Sequence, residues 1–178
     1  SFTVGRQYDL IDVAYAAHDA FGSSGFSPNG ALALGTGGDT IVRQDNSVLY
    51  STPNMGGVTG SFMWAPGENK NVVPGVGAGN HYGLSVMYAN GPIGLGGTWQ
   101  NNKANGATSA VTNYMVGGSY DLGVAKLFGQ YAGTNNKPVN TKDNGYSLGV
   151  VIPLGAPSLM VGYANDKTKL AGAKTQDV

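Results

Sequence analysis

The stretch HYGLSVMYA, residues 81–89, alternates without a break. Tyr82, Leu84, Val86 and Tyr88 fall on one face, and Gly83, Ser85, Met87 and Ala89 on the other. Successive side chains of a β-strand point to opposite faces, so this period of two marks a strand with one apolar side. NGP at 90–92 supplies the residues a tight turn requires, and IGLGGTWQ then resumes the extended pattern. The alternation recurs on both sides. NGYSLGVVIP (144–153) groups Tyr146, Leu148, Val150 and Ile152, while VTGSFMWA (58–65) sets Val58, Phe62 and Trp64 against Thr59, Ser61 and Met63. Extending the reading outwards predicts strands at 1–8, 43–52, 57–66, 80–90, 92–101, 110–121, 123–133, 144–153 and 157–166.

The connections alternate in length. Short ones, at 53–57, 90–92, 121–123 and 153–157, carry Asn, Gly and Pro. Long ones, at 67–79, 102–109, 134–143 and from 167 onward, are rich in Asn, Lys and Gly. Short turns at one end and long loops at the other describe an up-and-down antiparallel meander, the arrangement of outer-membrane barrels. The composition agrees. Only 11% of the 178 residues are charged, against about 25% in an ordinary soluble domain. The non-apolar strand faces carry Gly, Ser, Thr, Gln and Asn, which suits a water-filled lumen, with the apolar faces towards lipid. Aromatics such as Tyr50, Trp64, Tyr82, Tyr88, Trp99 and Tyr120 sit near strand ends, where a barrel keeps its two interfacial girdles.

Other classes find little support. The formal charge is zero, so no basic face for nucleic acid is expected. There is no cysteine, hence no thiol nucleophile and no thiolate metal site. No apolar run reaches transmembrane-helix length, which says nothing against strands. GVGAGN (75–80) and GTGGDT (35–40) lack the lysine of a phosphate loop. His18 and His81 are too far apart in sequence for a metal motif, and no serine sits on a nucleophile elbow. The expectation is no catalytic residue, no metal and no cofactor. An outer-membrane enzyme or adhesin, or a soluble β-sandwich, is the alternative class. Nine strands cannot close a bacterial barrel, which takes an even number, and open edges are intolerable in hydrocarbon. The chain therefore reads as a single partial β-barrel domain, 1–178, that begins inside a strand and stops in a loop, with any signal peptide absent or already lost.

One segment breaks the pattern. YDLIDVAYAAHDAF (8–21) starts an insert that runs to residue 42. A loop of that length inside a compact fold is usually functional. Leu10, Ala14, Ala17 and Phe21 recur at roughly helical spacing, which predicts a short helix over 10–20.

These stretches, with FTVGRQYDLI (2–11), RQDNSVLYSTPNMGG (43–57), YANGPIGLGGTWQ (88–100), SYDLGVAKLFGQYA (119–132) and YSLGVVIPLGA (146–156), resemble the trimeric general porins of Gram-negative outer membranes, β-proteobacterial type. The resemblance covers nearly the whole chain and is weakest in the long loops. It implies an all-β, sixteen-stranded transmembrane antiparallel barrel of which this chain is strands five to thirteen. It also implies outer-membrane lipid surroundings, a homotrimer, and passive diffusion of small hydrophilic solutes and ions. By resemblance, residues 9–42 are the constriction loop that folds into the lumen, where acids on the loop oppose bases on the wall. The acids offered are Asp9, Asp12, Asp19 and Asp39; Asp9 and Asp12 equally suit a helix start, whereas Asp19, beside His18, is the preferred pore charge. The bases are Arg43, expected on the pore wall, and Lys126, which should avoid lipid and face the lumen, or snorkel if near a strand end. Arg6 alternates with Phe2 and Val4 on the outward face. Either a bulge at Gly5 flips it inward, under the loop, or it lies at the trimer interface.

Overall fold

The structure is a computed structural model. It describes residues 1–24, 27, 42–67, 80–103, 110–138, 140–170 and 176–177. Nine long strands and one short one form a single antiparallel sheet in strict sequence order. They are β1 (Phe2–Tyr8), β2 (Arg43–Ser51), β3 (Val58–Ala65), β4 (His81–Asn90), β5 (Ile93–Asn102), β6 (Val111–Asp121), β7 (Lys126–Asn136), β8 (Thr141–Pro153), β9 (Ser158–Leu170) and β10 (Gln176–Asp177). One helix, α1 (Leu10–Ala17), follows β1. The sheet is a meander, not a two-sheet sandwich, and among the described residues β1 and β10 remain its edges.

Several boundaries differ from the sequence expectation for local reasons. β7 starts at Lys126 rather than 123 because 122–125 close a turn: the Leu122 amide donates to the Ala125 carbonyl at 2.8 Å, and Gly123 adopts φ 81°. β8 starts at Thr141, and the connection expected to be long at 134–143 shrinks to 137–140, with Asn140 at φ 55° donating to the Lys137 carbonyl. Both strands gain pairing, Asn136 opposite Thr141. The helix ends at Ala17 because the His18 amide turns back to the Tyr15 carbonyl at 3.2 Å, tightening the last turn. Its buried stripe is Leu10, Ile11, Ala14 and Tyr15, not the series through Ala17 and Phe21: Ala17 is exposed and Phe21 lies beyond the helix.

The two faces differ as the period of two requires. On the face away from α1, Leu84, Val86, Leu95, Val116, Leu148 and Val161 stand more than half exposed. Aromatics bracket this apolar belt in two bands. Trp64, Tyr82, Trp99, Tyr114, Tyr131, Tyr146 and Tyr163 run from strand to strand towards the long-loop end. Ring pairs Tyr82–Trp99, Tyr114–Tyr131 and Tyr146–Tyr163 lie 5.6, 6.4 and 6.2 Å apart. Tyr50, Tyr88 and Tyr120 lie near the short turns. The face under α1 carries buried Ser85, Thr98, Gln100, Asn113, Gln130 and Ser147. Their side chains bond across strands, Thr98 Oγ1 to Ser85 Oγ at 2.9 Å and Gln130 Nε2 to Ser147 Oγ at 3.0 Å. That face is not uniformly polar, because Met115 and Ala132, with Met87 beside them, form an apolar strip that receives α1.

Val86 sits at the middle of the outer belt. Val86→Lys should cost roughly 2–4 kcal/mol if that face meets hydrocarbon. Urea unfolding of the protein in lipid vesicles reads this directly; a cost near zero would mean that the face meets water.

Candidate functional site

The chain leaves β1 at Tyr8 and lays α1 across the polar face. The contact is made possible by missing side chains. Leu10 Cδ1 lies 3.4 Å from where a Cβ on Gly83 of β4 would be. Farther along, Gly96 of β5 and Gly117 of β6 are cross-strand partners, and His18 rests on the dent they form. A Cβ on Gly96 would come 2.5 Å from His18 Cε1, and one on Gly117 2.8 Å from His18 Cβ and Cγ. Beyond the helix, Ala20 lies against Gly149 of β8, where an added Cβ would approach to 2.7 Å. The segment thus crosses the wall from β4 to β8 while descending from the long-loop end towards the short turns.

The acids of the insert divide by environment. Asp9 is fully buried; its Oδ2 accepts from Gln100 Nε2 at 3.1 Å and its Oδ1 lies 3.4 Å from His81 Nε2. Asp19 is 7% exposed, and its Oδ2 accepts from the Ser23 amide at 2.7 Å and from Ser27 Oγ at 2.6 Å. Its carboxylate closes the turn after the helix. Asp12 is the partly exposed acid of α1, one residue from Val13, which is 50% exposed. Burial, and then the Asp9 charge, push the Asp12 carboxyl above its usual range, while Arg43 pulls it back. Asp39 lies outside the described residues.

The bases divide too. Arg43 stands opposite Tyr8, on the Tyr8 side of the sheet. Its guanidinium donates to Tyr8 Oη at 2.6 Å and stacks 4.4 Å from the ring centre. The neighbouring pair, Gln7 and Gln44, takes the inner side, and alternation then sends Arg43 outward. Lys126 shares the inner face with Gln130, near the short-turn end, with its Nζ 5.2 Å from the Phe128 ring. Arg6 is exposed and pairs with Asp45 at 3.2 Å. A bulge is present, but its extra residue is on β2, where Asp45 and Asn46 (φ 50°) stand opposite Arg6 alone, so β1 keeps its alternation and Arg6 stays outward. An Arg packed under the loop does not form.

His81, Gln100 and Asp45 are the polar groups that the sequence reading passed over. Alternation carried one residue further would have put His81 on the Gly83 side, facing α1. Asp45 was visible as an acid but not as a partner, because its pairing with Arg6 depends on the bulge.

The sequence profile described as Gram-negative porin matches residues 1–178. The chain is 32% identical over 162 residues to outer membrane porin protein 32 of Delftia acidovorans, covering 85% of this chain and 46% of that protein. Among solved structures it is similar to the anion-selective porin from Comamonas acidovorans, with a TM-score of 0.76 and 29% identity, covering 94% of this chain and 54% of that one. It also shares the fold of OmpT of Vibrio cholerae, solved in a trimer form, with a TM-score of 0.75 and 19% identity, covering 99% and 57%. The chain spans about half the length of the relatives it matches.

His18 gives the site a pH dependence. Its Nδ1–H donates to the Ala14 carbonyl at 2.9 Å. Burial holds its pKa below the ordinary 6.5, Lys126 lowers it further, and the Ala14 bond works the other way. The seated loop therefore prefers neutral imidazole. That preference is fully present above 6.5 and is lost as the pH falls below it, since the released ring takes up the proton first. The protection of the α1 amides, taken relative to the intrinsic exchange rate at each pH, should fall below that value and stay constant in His18→Gln; constant protection in the unmodified protein would contradict this.

Proposed function

Because this chain belongs to the Gram-negative porin family, we propose that it forms about half the wall and the constriction loop of an outer-membrane channel. Ions and small hydrophilic solutes diffuse through it passively, without catalysis or cofactor. The observation that carries this reading is the seating of α1. A loop lies on the glycine-dented polar face of the sheet, while the opposite face is apolar and banded by aromatics. A side wetted on the inside and greasy on the outside is what a channel wall requires. Further strands complete the barrel, because unpaired edge groups in hydrocarbon each cost several kcal/mol.

Within this channel, residues 9–42 narrow the lumen. Asp12 is the loop charge nearest the solute, with Lys126 the wall base below it. Asp9 and Asp19 hold the loop in place. The Arg6–Asp45 pair belongs at a subunit contact of a homotrimer: it stands on the outer face beside Phe2, Val4 and Tyr50, where lipid would not solvate it.

Planar-bilayer recording of the full-length protein tests the proposal. Ohmic conductance should appear in groups of three equal steps. In a salt gradient Asp12→Asn should move the reversal potential towards anions without changing trimer stability. Absence of conductance steps would reject the channel, and an unmoved reversal potential would remove Asp12 from the solute path.

A further inference from the structure

We infer that His81 and Gln100 are positioning residues that latch the constriction loop to the wall through Asp9, and that the charge pairing of Asp9 with His81 keeps the loop from swinging into the lumen. The inference rests on the reading of 9–42 as that loop.

Asp9 occupies the N-cap position of α1, where an aspartate ordinarily accepts a bond from the first-turn amides. Here the carboxylate makes no cap bond. It turns instead to the wall, to His81 at the start of β4 and Gln100 near the end of β5. Its backbone amide meanwhile donates to the Val42 carbonyl at 3.1 Å, beside the first residue of β2. One residue thus ties the loop entry to two wall strands and to the far end of the insert.

The burial is complete. Asp9 and His81 are 0% exposed and Gln100 is 1% exposed. Asp9 Oδ1 and both ring nitrogens of His81 lack a hydrogen-bond partner among the described residues. Oδ1 approaches Nε2 to 3.4 Å without hydrogen-bond geometry, the separation of an ion pair when the imidazole is protonated. Among the described residues, Ala65 and Asn102, which stand opposite His81 on β3 and β5, are neutral. The Asp9 charge pushes the carboxyl of Asp12, the next acid along α1, upward, and the Arg43 charge offsets part of that.

Removing one member of a buried pair strands the other charge, whereas replacing both with apolar groups is often neutral or better. That asymmetry separates a charge latch from mere packing. It applies to single-channel recording of the full-length protein. In His81→Leu, voltage-driven closures should become about tenfold more frequent, at unchanged open-state conductance. The double variant Asp9→Leu/His81→Leu should return towards the parent. Asp9→Asn, which keeps the Gln100 contact, should fall between. Parent-like closure in His81→Leu, or a double variant that closes more often than either single one, overturns the latch. Loss of conductance steps in the unmodified protein would instead fail the channel reading. For any variant that inserts poorly, amide exchange in detergent decides: α1 should exchange faster while β4 does not, and an equal rise in both overturns the latch.

Discussion

The arrangement depends on how closely α1 can approach the sheet. Where Gly96 and Gly117 face each other across β5 and β6, the absence of two Cβ atoms makes a dent that His18 fills. Interiors pack at near-crystalline density, so a single methyl there would displace the imidazole and lift the chain above it. Once the helix is down, Ile11, Ala14 and Tyr15 cover Met115 and Ala132, and the sheet gains the apolar contact that its otherwise polar inner face lacks. Burial of that strip is non-directional. The dent and the Asp9 contacts decide where the helix lies.

This division of labour explains why the acids of the insert are not equivalent. Asp9 and Asp19 begin and end the seated segment, each with one carboxylate oxygen accepting from protein donors. Asp12 sits between them on the uncovered side, where two nearby acids would repel. Burial and the Asp9 charge already work against its ionisation, and Arg43 offsets part of that. Tyr15 shows the same field from the other side: burial, then the Asp166 and Asp12 charges, push its phenol up.

The strands were legible because one physical rule, alternation across a two-faced sheet, acts along each strand from β1 to β9. It marked all nine long strands, the apolar belt and the outward position of Arg6. Strand ends were less legible. Asn140 at φ 55° and the turn at 122–125 are settled by backbone bonds that composition does not reveal. The site was least legible of all. Asp19 looks free in sequence, and only the return of the chain brings Ser23 and Ser27 to it. Arg43 was expected on the pore wall, but the bulge at Asp45 and Asn46 and the pairing with Tyr8 set its side. His81 was overlooked because its partner Asp9 is 72 positions earlier in the chain (81 − 9).

In the proposed channel the segment from Asp9 to Ala20 lies inside the lumen, against the wall. These 178 residues contain no cysteine, so a thiol introduced here is the only one among them. Val13, half exposed on the uncovered side of α1, and Val86, on the outer belt, are the informative pair. A charged, membrane-impermeant thiol reagent should cut the conductance of Val13→Cys channels at once and leave Val86→Cys channels unmodified. Unchanged current in Val13→Cys, or equal reaction at Val86→Cys, would contradict the account.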